Sequence, residues 1–391
     1  MKTILHKRIL LLAALANVLI FAACGGGSSS SGGGHSTTQN VQPLQVNAGP
    51  TGNYINGLFT SVTICAPRSS NCQTVNDVLV DSGSIGLRIL DTAISGSLSL
   101  PAEKNSSGNP LAECSPFVDG YTWGPLVTAD IKMAGEVASS APMQIIGTST
   151  FGIPTECANQ GKAENDLNTL EANGILGIGN FRQDCGGTCT SDSTNPGGLY
   201  FVCPTSACQD TSVSLTQQLQ NPVWMFSSDN NGTLIQLPSV GSSGAATVNG
   251  SLIFGIGTQS NNGLGSATVL TVDPNYGDFV TNYTVNGQMQ SYSGFTDSGS
   301  NALFFLDSTT TGIPTCSDNT SFYCPGAGAT LSLSAQNVGN NNKTSSVNFS
   351  LADFDTVLNN NANSWAFSNI GGPGGGSTPS FDWGLPFFYG R

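Results

Sequence analysis

A repeated eleven-residue segment is the feature that most constrains the fold of this chain. Residues 81–91 read DSGSIGLRILD and residues 297–307 read DSGSNALFFLD, so seven of eleven positions are identical at an offset of 216 residues. Strand-like apolar residues flank both Asp-Ser-Gly-Ser cores, which predicts two related β-rich halves with one acidic turn each. The alternative is a repetitive β protein in which two similar turns recur without a shared role.

The histidine count excludes whole classes of catalytic site. The chain has two histidines, His6 and His35, and both lie in the N-terminal segment ahead of the predicted folded part. A Ser-His-Asp triad, a Cys-His pair and the HExxH zinc motif are therefore excluded there. Asp and Glu total 24 against 11 Lys and Arg, and this acidic balance disfavours nucleic acids and anionic membrane surfaces as partners.

Carboxylates are consequently the candidate catalytic groups, and the repeat supplies two of them. Hydrolysis of an amide without histidine or metal needs a general base and a general acid, which two carboxyls sharing one proton provide. Gly83 and Gly299 permit the tight turn and close approach of the backbone. Ser84 and Ser300 can hydrogen-bond the carboxylates. No metal or organic cofactor is implied.

The first residues have the pattern of an export signal. A basic start is followed by an apolar run from Ile9 to Phe21, which is too short to span a membrane well. Ala22-Ala23-Cys24 resembles the lipobox of bacterial lipoproteins, which implies cleavage before Cys24 and acylation of its thiol; the alternative is ordinary signal cleavage nearby. Residues 25–40 are a Gly/Ser-rich tether.

The remaining ten cysteines, an even number in an exported chain, predict five disulfides. Short separations favour Cys65–Cys72 and Cys316–Cys324. Four more cysteines are predicted to form a loop closed by two disulfides, or alternatively a zinc site. Cys114 and Cys157 then remain and are predicted to pair with each other. The four are Cys185, Cys189, Cys203 and Cys208.

The rest of the chain reads as short strands between turns, without long helical periodicity. Residues 78–80, 144–146 and 251–254 predict strands, whereas 213–219 and 351–358 predict short helices.

With both Asp cores in view, the chain resembles the pepsin-like aspartic proteases, which carry one such core in each of two β-rich lobes. Asn173–Gly179 and Phe381–Phe388 resemble the segments that close the two active-site loops, and the hairpin around Tyr121 resembles the flap over the cleft. The resemblance spans roughly residues 50 to 391. Within these proteases, the chain most resembles an uncharacterised bacterial group of pepsin-like lipoproteins.

The resemblance implies a role for each matching residue. Asp81 and Asp297 would be the catalytic dyad. Ser84 and Ser300 would bond the outer oxygens of the dyad, and Ser82 and Ser298 would link the two loops beneath it. Tyr121 would cover the substrate; its alternative is an ordinary hairpin aromatic.

Three departures from the pepsin pattern are visible. Arg88 stands where many pepsins have a Trp that supports the flap. Asp382 occupies an apolar position of the closing segment. The chain ends at Arg391, whereas pepsin-like chains continue for about another strand pair, so truncation is expected.

The predicted fold class is mainly β: a bilobal pepsin-like acid protease fold with two β-barrel-like lobes and a cleft between them. The predicted organisation is a signal peptide at 1–23, a lipidated Cys with its tether at 24–44, an N-terminal lobe at 45–228 and a C-terminal lobe at 229–391.

The predicted function is an exported aspartic endopeptidase. The first alternative is a non-catalytic pepsin-like surface lipoprotein that binds peptide or glycan. The second is a disulfide-stapled surface adhesin with no cleft function. Two Asp carboxyls more than ~10 Å apart would favour it, because a shared proton requires near contact. The expected partners are an extended polypeptide substrate and a membrane reached through the lipid anchor only. We expect a monomer that binds no nucleic acid and sits at the bacterial outer membrane, facing the periplasm or the cell surface.

Overall fold

The computed structural model describes residues 39–191, 198–205, 207–374 and 378–391. The predicted signal peptide, the lipidation site at Cys24 and nearly all of the tether lie outside these residues. Within them the protein is mainly β, with 19 strands and short helical turns. The strands are β1 Val41–Asn47, β2 Gly57–Cys65, β3 Cys72–Asp81, β4 Ile85–Leu90, β5 Leu111–Pro116, β6 Tyr121–Met133, β7 Glu136–Ile146, β8 Gly174–Ile178, β9 Tyr200–Val202, β10 Gln209–Asp210, β11 Thr233–Gln236, β12 Val248–Phe254, β13 Phe279–Val285, β14 Gln288–Thr296, β15 Leu303–Phe305, β16 Thr330–Val338, β17 Thr344–Ala352, β18 Gly371–Gly372 and β19 Ser380–Trp383.

The first sheet closes on itself. Its strand order is β10-β9-β5-β6-β7-β4-β8-β3-β2-β1-β12-β11, and an additional pairing of β6 with β2 closes the six strands from β6 to β2 into a barrel. Closure removes exposed strand edges. The apolar side chains inside include Val80, Leu87 and Leu176, all fully buried.

The second sheet has the order β17-β16-β13-β14-β19-β15-β18. Aromatic rings form its core: Phe305, Phe381 and Trp383 are each 1 % exposed and pack against one another. Aromatic pairs of this kind stabilise a core beyond the area that they bury. The two barrel-like sheets confirm the predicted mainly β, bilobal fold class.

The predicted boundary between the lobes lies at residue 228, but two strands that follow this residue pair within the first sheet. β12 and β11 follow residue 228 but belong to the first sheet, where β12 pairs with β1. β1 itself begins at Val41, inside the range predicted as tether. Ordered structure thus starts before residue 44, because every second side chain of β1 is buried.

Helices are few and short. They are α1 Thr155–Ala158, α2 Leu167–Leu170, α3 Ser308–Thr311 and α4 Phe354–Asn360, with 3-10 turns at Asp91–Ala93, Gly186–Cys189, Pro222–Met225 and Leu385–Phe388. The helix predicted at 351–358 begins only at Phe354, because Leu351 and Ala352 end β17 and Asp353 caps the helix. The helix predicted at 213–219 is wrong: these residues form a turn.

Five disulfides are present in the described residues, as predicted. They join Cys65 to Cys72, Cys114 to Cys157, Cys185 to Cys189, Cys203 to Cys208 and Cys316 to Cys324. The cysteines considered for zinc are therefore paired with each other. Five disulfides indicate an extracellular or periplasmic protein. Over the described ranges, no helix is long and apolar enough to cross a membrane.

Candidate active site

The two Asp-Ser-Gly-Ser cores are turns at the ends of strands. β3 ends at Asp81 and β4 begins at Ile85, so residues 81–84 form the first Asp loop. β14 ends at Thr296, and the second Asp loop is residues 297–300. Each strand fixes the backbone up to its aspartate, and the two sheets bring both loops to one place.

Hydrogen bonds between the first and second Asp loops hold them together in a reciprocal pattern. The amide of Ser82 donates to Ser298 Oγ at 3.0 Å, and the amide of Ser298 donates to Ser82 Oγ at 2.9 Å. Each hydroxyl then donates onward across the interface, from Ser82 to Thr296 O at 3.2 Å and from Ser298 to Val80 O at 2.8 Å. Because every donor of this set has an acceptor, the loops are fixed relative to each other.

Asp81 and Asp297 lie together at the centre of this arrangement: a Cβ placed on Gly299 would be 2.8 Å from Asp81 Oδ1 and 3.2 Å from Asp297 Oδ1. Each also accepts its own loop's amide, from Gly83 to Asp81 Oδ1 at 2.7 Å and from Gly299 to Asp297 Oδ1 at 2.8 Å. The wide separation of the carboxyls that would have favoured the adhesin alternative is therefore not present.

Glycine is required at both loops by the approach of the opposite carboxyl. A Cβ on Gly83 would lie 2.7 Å from Asp297 Cγ, and a Cβ on Gly299 would lie 2.8 Å from Asp81 Cγ. Real Cβ atoms do not come so close to a carboxyl carbon, so any larger residue would push the pair apart.

The electrostatics of the pair favour retention of one proton. Burial, the charge of Asp81 and the charge of Asp382 raise the pKa of Asp297 well above its ordinary value. The amide of Gly299 opposes this by hydrogen-bonding the ionised form. Two neighbouring carboxyls cannot both be charged at low cost, so the pair titrates as a unit that retains one proton.

The structure treats the two predicted orienting serines differently. Ser300 Oγ donates to Asp297 Oδ2 at 2.9 Å. Ser84 Oγ is buried and has no hydrogen-bond partner among the described residues, so the expected bond to Asp81 is a wrong prediction. The backbone after each serine differs. β4 begins directly after Ser84, whose carbonyl accepts a hydrogen bond from the amide of Gly179, whereas after Ser300 the next strand, β15, begins only at Leu303.

The hairpin β5–β6 is present at the expected place, but Tyr121 does not lie at its tip. Tyr121 is 4 % exposed at the start of β6, where it packs with Trp123, Cys114 and Cys157. Its amide donates to Lys162 O, so a neighbouring loop covers it. The prediction that Tyr121 covers the substrate is therefore wrong, because the ring is committed to this core cluster.

Phe117 is the aromatic residue at the turn of the hairpin, and the sequence interpretation missed it. Its carbonyl and amide close the turn with Gly120, and Val118 at the tip is 96 % exposed. The Phe117 ring, like that of Tyr54, packs against the buried cluster that contains Phe59 and Leu79, and it lies 5.9 Å from the Arg88 guanidinium carbon. The Asp119-Gly120 dipeptide, a strong hairpin-turn signal, marks the position of this turn to within one residue.

Tyr54 is a second residue that no sequence pattern indicated. It lies between β1 and β2 in the chain, and its hydroxyl interacts electrostatically with Asp81 and Asp297. Burial, then Asp119 and Glu171, and then the aspartate pair raise the pKa of Tyr54. The phenol of Tyr54 is thus kept neutral, and it lies within electrostatic reach of both Asp119 in the hairpin turn and the two aspartates.

Arg88 anchors the base of the hairpin through buried charges. Its side chain is 2 % exposed; Nη2 lies 2.5 Å from Glu113 Oε1 on β5 and 3.5 Å from Asp184 Oδ2. Nη1 donates to Ile85 O at 2.7 Å, and Tyr200 donates to Asp184 at 2.6 Å. The charged group that replaces the expected Trp therefore ties β4 to the hairpin.

One group of potential metal ligands occurs in the described part of the chain, formed by Cys316, Cys324 and Asp355. The two cysteines are joined in a disulfide, so their sulfurs are not thiolates. One carboxylate then remains, which is too few ligands for a metal centre.

Comparisons with known proteins give two findings. A family model described as "Protein of unknown function (DUF3443)" matches residues 36–391. One matching solved structure is titled "Crystal structure of aspartic proteinase from Irpex lacteus"; it is 15% identical, covers 90% of this chain and 92% of its own, and has a TM-score of 0.49. A comparison with curated protein sequences found no match.

Proposed function

The chain belongs to the DUF3443 family of unknown function, and we propose that it is an aspartic-type endopeptidase of the pepsin-like kind. The observation that carries this proposal is the contact between Asp81 and Asp297 on two cross-linked loops, with the pKa of Asp297 raised. A buried carboxyl pair that shares one proton is the arrangement that amide hydrolysis needs when histidine and metal are absent.

In the proposed reaction the two aspartates divide the acid and base roles. Asp81 accepts a proton from a water molecule, which attacks the peptide carbonyl carbon. Asp297 donates its proton to the carbonyl oxygen, so a tetrahedral diol forms without a charged intermediate. Asp81 then gives the water proton to the leaving nitrogen, the C–N bond breaks, and Asp297 takes back one diol proton as the carboxylic acid product forms. Ser300 keeps Asp297 oriented through its bond to Oδ2.

The substrate would be an extended polypeptide lying under the hairpin β5–β6. The tip of this hairpin is exposed at Val118, and Tyr54 lies within electrostatic reach of the pair. An extended chain can satisfy its backbone groups against such a hairpin. An unfolded substrate is therefore expected to be cleaved and a compact one to resist.

The test is cleavage of an unfolded protein between pH 3 and 7 by wild type, Asp81→Asn and Asp297→Asn. Removing either acid–base partner should lower kcat by at least about 100-fold. Asp91→Asn is the matched control, because Asp91 is the exposed last residue of the same repeat. Inhibition by pepstatin, which mimics the tetrahedral state, should accompany activity. Full activity in Asp297→Asn would refute the proposal.

A non-catalytic protein that binds peptide or glycan is the second candidate. The buried Arg88, in place of the Trp expected beneath the hairpin, is the observation that favours it. Folded wild type that binds peptide but cleaves nothing at any pH would select this candidate.

The proposal includes a location and an attachment. The disulfides indicate an extracellular or periplasmic protein. We propose that acylation of Cys24 anchors it to the bacterial outer membrane and that it acts there as a monomer on polypeptides, without a cofactor or nucleic acid.

A further inference from the structure

Asn56 joins distant parts of the chain through its buried side chain. It lies between β1 and β2, directly before Gly57, and is 0 % exposed. Its Nδ2 donates to Asn301 O at 2.8 Å and to Phe367 O at 2.9 Å. Its Oδ1 accepts from the Phe367 amide at 2.7 Å and from the Tyr389 hydroxyl at 2.8 Å. Both hydrogens and both lone pairs of this amide group are thus used, and each partner is at least 245 positions away.

The residues beside Asn56 extend this contact between the lobes. Ile55 packs against the second-lobe cluster that contains Phe367, whereas Tyr54 packs against the first-lobe cluster already described. The Asn56 amide donates to Trp365 O at 2.7 Å. The segment is therefore bonded to and packed against both lobes.

Both sides of this contact lead directly to an Asp loop. On the first-lobe side, β2 begins immediately after Asn56 and pairs with β3, which ends at Asp81. On the other side, Asn301 directly follows the second Asp loop. One amide side chain therefore connects the two units of strand and turn that carry the aspartates.

This second attachment matters because the bonds between Ser82 and Ser298 join the two loops at one place. Two rigid bodies that touch at one place can still rotate about it, whereas a separate contact fixes their relative orientation. The side-chain bonds of Asn56 all go to residues outside both Asp loops. A small rotation of one lobe would displace one carboxyl from the other, and a displacement of about 1 Å can cost roughly 100-fold in rate.

We propose that Asn56 is a positioning residue for the aspartate pair: through its bonds to Asn301 and Phe367 it holds the second lobe in the orientation that brings Asp297 beside Asp81. This inference rests on the proposed function and adds to it a residue outside both Asp loops. A side chain that only stabilised the fold would leave the geometry of the pair unchanged in the molecules that remain folded.

The backbone at Asn56 offers a simpler reason for its residue type, which a control can separate. Its φ is +53°, a left-handed conformation that Asn adopts more readily than most residues. Asn286 also precedes a glycine, has a φ of +50° and is exposed in the turn between β13 and β14. Glycine suits this backbone at either position, so only Asn56→Gly removes four buried hydrogen bonds as well.

The test measures kcat and KM on an unfolded protein for wild type, Asn56→Gly, Tyr389→Phe and the matched control Asn286→Gly. Rates are scaled to the folded fraction, below the unfolding transition of each variant. Asn56→Gly should lower kcat about 100-fold with KM nearly unchanged, because the two aspartates are displaced. Tyr389→Phe keeps the ring and removes one of the four bonds, so kcat should fall roughly threefold. Asn286→Gly should match wild type.

Unchanged kcat per folded molecule in Asn56→Gly and Tyr389→Phe would overturn the proposal, even if both variants unfold at lower temperature. If Asn56→Gly does not fold, Tyr389→Phe decides alone, because it removes a single hydroxyl from a packed ring.

A second readout does not need cleavage. The carboxyl ¹³C resonances of Asp81 and Asp297, followed by NMR, report the pH at which the pair loses its shared proton. Separating the carboxyls weakens the repulsion that retains this proton, so both Asn56→Gly and Tyr389→Phe should lose it at lower pH than wild type. If wild type cleaves nothing while this shift is seen, the peptidase proposal fails and the positioning role of Asn56 stands. Without the shift, the positioning role is refuted.

Discussion

Replacing Arg88 by Met should strongly destabilise the first lobe. Met has similar length and no charge, so Glu113, 0 % exposed on β5, would lose its ion pair at 2.5 Å and keep one oxygen that already has no partner. Removing one member of a buried ion pair costs about 3–5 kcal/mol of the free energy of unfolding. The hydrogen bond from Arg88 Nη1 to Ile85 O is lost as well, so we expect a loss of unfolding free energy at the upper end of this range.

The cost of Arg88→Met should depend on pH. In wild type, burial and Glu113 raise the pKa of Asp184, while Arg88 lowers it. Without Arg88 the folded-state pKa of Asp184 rises further. A raised folded-state pKa contributes stability below the unfolded pKa that is lost as pH increases through the folded value. The deficit of the variant should therefore be smaller at pH 4 than at pH 7.

Urea denaturation followed by tryptophan fluorescence, with the disulfides intact, measures these free energies. The double variant Arg88→Met with Glu113→Gln removes both charges of the pair and should be more stable at pH 7 than the single variant. Our reasoning would be refuted by a single-variant deficit below about 1 kcal/mol, which is the value of an exposed pair. A deficit that does not change between pH 4 and pH 7 would also refute it.

Two further predictions concern the aspartate pair and the membrane anchor. Gly83→Ala should abolish cleavage while the protein stays folded, because its Cβ would lie 2.7 Å from Asp297 Cγ; Gly96→Ala, with nothing within 4 Å, is the control, and equal activities would contradict the stated contact. Cys24→Ser should release the protein from the membrane fraction, because the tether after Cys24 has no apolar run of its own; a variant that still sediments with membranes would show that Cys24 is not the anchor.

The main features of the candidate site could be predicted from the sequence. Asp81 and Asp297 were identified by the repeat, since matching strand–turn frames place matching residues at equivalent positions. The same frames located Ser82, Ser298 and Ser300. Ser84 was predicted to act in the same way and does not, because β4 begins at the next residue and fixes its backbone.

Residues brought to the site from elsewhere in the chain could not be predicted. Tyr54 is distant from both Asp loops in sequence, and only the arrangement of the first sheet places its hydroxyl near the pair. Tyr121 was selected from a local pattern, but its ring is buried beside Trp123, and Phe117 is the aromatic residue at the turn. The role of Arg88 also depends on a distant residue, because its ion-pair partner Glu113 lies on β5 and only the fold brings the two side chains together.

The sequence by itself determined the two acidic turns, the absence of histidine chemistry in the folded part and the short-range disulfides, because each depends on residue types or on separations of a few positions. The tertiary structure alone decided that the two carboxyls lie together and that burial raises the pKa of Asp297. Contact, burial and the resulting pKa depend on which atoms two sheets bring together, and strand pairing over 200 residues leaves no local trace in the chain.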